Sequence, residues 1–385
     1  MAQRIGIVAV AQTKYERKKG NQSAREMILE VVNEVIQETG LHFRDDGTGI
    51  DIRLTATEDH LAGMLGSHQL PSYVMRTYGK PTEKVTGDGA LEVYEAVMTI
   101  LSGHYNVAMV SAHCLEAQVP CKKCIENWGF EQVYQQTIGL DYLSAAALQA
   151  KRYMHQWGVA PEEYAQVVIR DYHNAKNNPY AQSSGDLTVG DVLGSKMLAY
   201  PVRELEAKPQ SDGACVLIMA NEDRAKQLTD KPVWIKGIGC SFDHHYLGDR
   251  ELARCNALTE AAQRAYKMAG ISNPWAEIDV AEISDHYSYQ GLLWLEGLGL
   301  CPPGEGKRLI MNHKIAMGGE LPVNPSGGLL PGIPETVAGQ SRVVEAVLQL
   351  RGEAGARQVD GAKVALAHGT GGSAGQQHTV IILEK

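Results

Sequence analysis

No long run of one charge sign interrupts this sequence, and no apolar run approaches bilayer-spanning length. The formal net charge of −9 is spread along the chain, which argues against nucleic acid or an anionic membrane as the principal partner. Any anionic ligand must therefore be met by local donors. A basic-then-apolar leader is missing too: strand-like sequence begins at once with Arg4-Ile-Gly-Ile-Val-Ala-Val10, so a cytoplasmic location is expected by default. The seven cysteines, an odd number with no framework, read as reduced thiols, and no disulfide is expected. Cys121-Lys-Lys-Cys124 has metal or redox spacing, but there is no second pair, nor a nearby histidine pair, to complete four ligands. It reads as a plain loop, with no metal. Finally, there is no Walker pattern and no G-x-G-x-x-G between a strand and a helix, which sets aside nucleotide hydrolysis and hydride transfer.

What is present is a chain of 385 residues, 44% hydrophobic, able to bury a large core as two domains or one duplicated one. It reads as an order of elements written twice. In residues 1–220 a strand (Ile5 to Val10) precedes a helix capped by Ser23 and stopped at Gly40. A glycine-rich turn (Thr86-Gly-Asp-Gly89), a helix (about Ala90 to Leu101) and a strand (Asn106 to Val110) follow. Ser211-Asp-Gly-Ala, a turn, and a strand to Ala220 close this half. Residues 233–385 repeat the order: a strand at Trp234 to Gly239, a helix at about Ala257 to Ala269, then a strand at Ile278 to Ile283. The turn Asn324-Pro-Ser-Gly-Gly328, a helix around Val343 to Leu350, and strands at Lys363 to Ala367 and His378 to Leu383 complete it. The pattern implies a duplicated α/β fold with layered sheets and helices. A surplus of about residues 118–201 in the first half reads as an inserted loop domain.

Chemistry-bearing residues gather at the strand ends. The apolar strand Lys363 to Ala367 delivers His368 to Gly-Thr-Gly-Gly372, a place where an imidazole can act as general acid or base. Ser284-Asp-His286-Tyr287 follows an apolar strand, and polar groups there are costly to bury without a purpose. Tyr246, in Asp243-His-His-Tyr246, adds a donor from a loop. Asp88 opens a helix and reads as its N-cap. Cys114 and Cys240 each follow a strand and are the cysteines best placed to reach a central pocket.

The duplicated halves, the inserted segment, Ser211-Asp-Gly-Ala, Asn324 to Gly328 and His368 to Gly372 together resemble the thiolase superfamily, most closely its sterol-carrier-protein-x-type branch. Lys236-Gly-Ile-Gly, His245-Tyr-Leu-Gly-Asp-Arg250 and Leu293 to Leu300 extend the resemblance over nearly the whole chain. It implies an α/β fold of two βαβαβαββ halves layered α-β-α-β-α. It also implies carbon–carbon bond making or breaking beside a coenzyme A thioester, with coenzyme A as substrate or product moiety and no covalently bound cofactor. The resemblance sets Thr86 about where the family's nucleophilic cysteine stands at a helix N-terminus, a position that lowers a thiol pKa. It sets Ser284 at a usual histidine, Ile333 at another, and His368 at the proton-moving cysteine.

Relatives of this branch include benzoylsuccinyl-CoA thiolase and steroid side-chain-cleaving aldolases, which lack the usual cysteine and employ tyrosines. The implied activity is retro-aldol cleavage of a bulky β-hydroxyacyl-CoA, using His368, Tyr287, His286, Tyr246, Ser284 and Thr86. Asn324, Ser326, Gly327, Gly328, His245, Arg250 and Gly369 would meet the thioester and its coenzyme A. The alternatives are a β-ketoacyl-CoA thiolase subunit with a non-standard site and a non-catalytic scaffold. The family's assemblies imply a homodimer through the first half and a small zinc-ribbon and OB-fold partner.

Overall fold

Ser23 and Glu26 cap the first helix reciprocally: Ser23 Oγ accepts from the Glu26 N–H, and Glu26 Oε2 accepts from the Ser23 N–H at 2.8 Å. This helix, α1 (Ala24–Thr39), ends at Gly40, whose left-handed φ of 68° lets its N–H reach back to the Ile36 carbonyl. The computed structural model describes residues 4–43, 47–56, 72, 75, 77, 79–119 and 121–385.

Nine strands form the main sheet: β1 (Ile5–Gln12), β2 (Ile52–Ala56), β3 (Thr82–Val85), β4 (Val107–Leu115), β5 (Asp212–Asn221), β6 (Val233–Phe242), β7 (Val280–Glu282), β8 (Val364–Gly371) and β9 (Gln377–Glu384). Their order is β3-β2-β4-β5-β1-β6-β9-β8-β7. The five strands of the first half thus lie on one side and the four of the second on the other. They join where β1 pairs with β6 over Gly6–Trp234 and Ile7–Val233. Helices α2 (Gly89–Leu101) and α8 (Ala338–Arg351) each pack on strands of both halves and on one another. Outside them, α1 covers β1 and β5, while α6 (Asn256–Ala269) covers β6 and β9. The layered α/β architecture expected from the sequence is present.

The segment between β4 and β5 carries helices α3 (Lys122–Trp128), α4 (Tyr142–Trp157) and α5 (Pro161–Ala175), followed by a short helix at Val189–Gly194. The apolar faces of α4 and α5 join α6, and α7 (Gln290–Gly297), in one hydrophobic cluster that includes Tyr153, Val167, Leu258 and Trp294.

The central helix pair is joined by one side chain. Asp88 Oδ1 accepts from the Ala90 N–H at 2.9 Å, and Oδ2 accepts from the Gly339 N–H at 2.6 Å, so a single carboxylate caps α2 and α8 together. A Cβ at Gly339, or at Gly369 on β8, would collide with Asp88 Oδ1, which explains glycine at both positions. The expected N-cap role of Asp88 is therefore observed, and extends to a second helix.

Four features differ from the sequence reading. Strands β2 and β3 were not anticipated. β2 hides Arg53 by pairing its guanidinium with Ser72, Ser111 and Thr55, and β3 is a short, charged edge strand. β8 runs through to Gly371 instead of turning after Ala367, because His368 pairs with Val380 and Thr370 with His378 in a hairpin with β9. His368 consequently sits mid-strand, and the turn falls at residues 372–376. Lastly, Cys121 and Cys124 form a disulfide, against the expectation of a plain loop of reduced thiols. The first turn of α3 brings their Cα atoms to 5.4 Å, within bridging range.

The other five cysteines are free. Alkylation of the unfolded, unreduced protein is expected to label five thiols, and alkylation after reduction seven; seven labels without reductant would remove the bridge.

Burial pushes the Asp88 carboxyl up to about 7, against the pull of the Ala90 and Gly339 N–H groups. An acid whose native pKa lies above its unfolded one adds stability at low pH and loses it as pH rises toward the native value. Stability of the wild type relative to Asp88→Asn should therefore fall by up to about 4 kcal/mol between pH 4 and pH 8. Urea unfolding across that range measures it, and parallel pH profiles for the two proteins would refute the assignment.

Candidate active site

A cavity of about 180 Å³ opens where the inserted segment meets the second half. Helix α3 brings Lys122 and Glu126 to its wall, one turn apart on the same helical face. The loop after β7 brings His286 and Tyr287, the β8–β9 hairpin brings Thr370, Ala374 and Gly375, and the approach to α8 brings Glu335. Lys208, from the segment leading into β5, completes the polar part.

Glu335 is the electrostatic centre. His286 Nε2 lies 3.2 Å from its Oε1, while the Lys208 and Lys122 ammonium groups lie 3.3 and 3.5 Å from its Oε2. Burial raises this carboxyl, but His286, Lys208 and Lys122 together outweigh it and hold Glu335 well below the usual carboxylate range. Glu116 fixes the arrangement from behind. Its Oε1 accepts from Lys208 Nζ at 2.9 Å and from the Glu335 N–H at 2.7 Å, and its Oε2 accepts from the Ser211 N–H. The Lys208 N–H donates to the His286 carbonyl at 2.8 Å, tying the two walls together.

Glu126 behaves differently. Burial lifts its carboxyl to about 7, partly offset by Lys122 at 3.8 Å and by the Tyr142 N–H. Such an acid exchanges its proton near neutral pH. Burial and the nearby Glu126 carboxylate raise the Tyr287 phenol, so it remains a protonated donor. The site therefore combines a carboxyl poised near 7, an imidazole beside an ionised carboxylate, a phenolic O–H and two ammonium groups.

Of the residues singled out from the sequence, His286 and Tyr287 reach this cavity. His368 does not. It is fully buried, and both ring nitrogens are engaged: the Ser284 N–H donates to Nδ1 at 3.4 Å, and Nε2 is 2.9 Å from His378 Nδ1. His378 Nε2 lies 2.9 Å from the Gly375 carbonyl, which can only accept, so that nitrogen carries the proton and the polarity of the chain follows. Trp294 packs edge-on against both rings. Burial, then His378 and His286, hold His368 well below the ordinary histidine range. Ser284 Oγ donates to the His368 carbonyl and is equally buried.

Thr86 is exposed at the approach to α2 and does not line the cavity. Tyr246 stands at a separate recess of about 380 Å³, edge-on to Tyr134, with His245 exposed beside it. Arg250 is buried and donates to the Ser373 and Ala374 carbonyls. Gly369 faces Asp88. The stretch Asn324 to Gly328 is buried. Asn324 is hydrogen-bonded to Ile283 and Asp285, and Ser326 to Glu282 and Arg342, while Gly327 lies against Ala175 of α5 and Gly328 against Asp171 and Asp285. Cys114 is buried in β4 and Cys240 half-buried in β6; burial raises both thiols, and neither lines the cavity. Among the described residues no group of three or more side chains has the arrangement of a metal site.

Sequence reading missed Glu126, Glu335, Lys122, Lys208 and Glu116. Two signals were available: Lys122 sits inside the Cys-x-x-Cys pair, and Glu335 ends Gly332-Ile-Pro-Glu335, the stretch aligned with the family's second histidine.

Residues 239–385 match the family described as Thiolase C-terminal domain-like. An acetyl-CoA acetyltransferase of Methanothermobacter thermautotrophicus is 31% identical over 377 residues, spanning 96% of this chain and 97% of that one. The chain belongs to the thiolase superfamily. Within it, a 17-hydroxy-3-oxo-4-pregnene-20-carboxyl-CoA lyase of Mycobacterium tuberculosis is 28% identical, covering 90% of this chain and 91% of the lyase. That kinship agrees with the sterol-carrier-protein-x-type branch expected from the motifs. The solved Ltp2-ChsH2(DUF35) aldolase shares the fold, with a TM-score of 0.84 at 23% identity over 99% of this chain and 97% of that one.

A thiolase-family catalyst built on this cavity should show a limb near pH 7 in its kcat/KM profile that Glu126→Gln abolishes. A limb unchanged in Glu126→Gln would assign it elsewhere.

Proposed function

We propose that this thiolase-superfamily enzyme cleaves a bulky β-hydroxyacyl-CoA by retro-aldol chemistry, without an acyl-cysteine. What supports the reading is the composition of the cavity: proton-transfer groups and donors converge there, and no cysteine is among its lining residues. Thiolysis needs a thiolate, and burial raises every free cysteine of the chain.

Retro-aldol cleavage moves one proton and breaks one carbon–carbon bond. His286, oriented by Glu335, takes the proton of the β-hydroxyl as the Cα–Cβ bond opens to a carbonyl product and a thioester enolate. The Tyr287 O–H donates to the enolate oxygen, where charge develops. Glu126, protonated near neutral pH, returns a proton to Cα, and the proton held by His286 re-forms the acid. His368 and His378 act through Ser284 and Gly375, holding the loop and hairpin that present His286 and close the cavity.

Acetyl transfer or thiolysis of a β-ketoacyl-CoA is the second reading, favoured by the naming of the Methanothermobacter relative as an acetyl-CoA acetyltransferase. We further propose a cytoplasmic homodimer with a small second subunit, the latter suggested by the double name of the Ltp2-ChsH2(DUF35) aldolase.

Incubation with β-hydroxyacyl-CoA and β-ketoacyl-CoA thioesters separates the readings. Release of aldehyde or ketone with no added CoA is expected, and His286→Ala should lower kcat/KM by roughly 10²- to 10⁴-fold. Turnover that strictly requires free CoA would favour acyl transfer instead.

A further inference from the structure

The catalytic cavity, at about 180 Å³, falls below the roughly 300–1,000 Å³ of pockets that hold a drug-sized ligand. A coenzyme A thioester is larger still, so its nucleotide end must lie outside. Of the described recesses, one of about 640 Å³ shares wall residues with the cavity: Leu198, Ala207 and Lys208 border both. The recess beside Tyr246 and that beside His313 share none.

This larger groove runs from Lys208 past Leu205 and Tyr172 to the loop after β1, where Lys14 and Arg17 line it. Both are exposed, as is Lys18 next to them. Lys14-Tyr-Glu-Arg-Lys-Lys19 places four cations within six residues of a chain whose net charge is −9. Glu16 and Glu204 also border the groove, and leave it net cationic along the Lys14 to Lys19 loop. The loop is held in place by backbone pairing: the Tyr15 N–H donates to the Tyr180 carbonyl, the Glu16 N–H to the Asp212 carbonyl, and the Lys19 N–H to Asp212 Oδ2. A cationic lip on a fixed loop, continuous with a reaction chamber in an otherwise acidic protein, is what the phosphates of a nucleotide-tailed thioester require.

We propose that Lys14 and Arg17 bind the phosphates of coenzyme A, whose pantetheine arm passes between Leu198 and Ala207 to bring the thioester to His286 and Tyr287. This rests on the acyl-CoA reading of the cavity, and moves the coenzyme away from Asn324 to Gly328 and from His245 to Arg250.

Isothermal titration of the full chain with CoA and with pantetheine, which lacks the nucleotide, tests it. In K14E/R17E the dissociation constant for CoA is expected to rise at least tenfold while that for pantetheine stays within twofold. K14Q/R17Q should show a smaller loss in the same direction, and its thermal midpoint verifies the fold. K231E, which makes half the charge change of K14E/R17E at a residue outside the groove, should leave CoA affinity within twofold. Equal CoA affinity in the wild type and K14E/R17E overturns the groove assignment and leaves the acyl-CoA reading standing, as does an equal loss in K231E. A folded wild type that binds pantetheine and CoA equally also overturns the groove, whereas one that binds neither overturns the acyl-CoA reading with it.

Discussion

One carboxylate, Asp88, receives the N-termini of both central helices, and the cavity's geometry depends on that junction. Because α2 belongs to the first half and α8 to the second, the shared cap fixes the two copies of the fold against each other at their innermost layer. Glycines at 339 and 369 allow the approach, so α8 and β8 are both drawn onto the same carboxylate. Glu335 lies three residues before α8, and Thr370 follows Gly369 on β8; both reach the cavity only because those elements are anchored there. The helix dipoles and two N–H donors favour the ionised form, while burial favours the neutral one, and burial wins.

The cavity solves the opposite problem, that of keeping a carboxylate charged. Removing a carboxylate from water costs several kcal/mol unless it is paired and hydrogen-bonded. Glu335 meets that condition with two ammonium groups and an imidazole, and Glu116 then holds both Lys208 and the Glu335 backbone. Among the described residues Glu126 has only the more distant Lys122 and one backbone N–H, and burial prevails. Two glutamates in one chamber are thereby pushed to opposite sides of the ordinary value by their surroundings. Separation of pKa values between neighbouring acids is a pattern by which a site acquires distinct proton donors and acceptors.

Much of the fold was legible in the sequence because its signals are local. The Ser23 cap, the stop at Gly40 and the apolar strands β1, β5 and β9 each depend on near neighbours in the chain. β2 and β3 escaped notice because their polar residues are explained only by tertiary partners, such as the serines around Arg53. The site was legible where polar residues broke an apolar pattern, as at His286 and Tyr287. It was not legible at Glu126, Lys208 and Glu335, which look like ordinary surface charges until inserted segment and second half meet. His368 illustrates the reverse case. An imidazole after an apolar strand invites a catalytic reading, yet strand pairing carries it past the expected turn and into a hydrogen-bonded chain with His378.

That buried chain still bears on the chemistry. From Ser284 through His368 and His378 to Gly375 donors and acceptors alternate, with Cys255 Sγ also 3.0 Å from His378 Nε2, so protonating either imidazole would place a charge in a fully buried setting and set two donors face to face. Burial accordingly holds His378 down to about 3, with His368 also depressed. The chain thus stays neutral beside a cavity in which the Glu126 carboxyl is lifted to about 7. Its two ends, at Ser284 and Gly375, lie on the β7 loop and the hairpin turn, so a pair outside the cavity lining still ties its walls together. A rigid, uncharged support behind the cavity keeps its donors in place as Glu126 titrates. His368 stands behind the cavity, in the support that holds its polar groups at their stations.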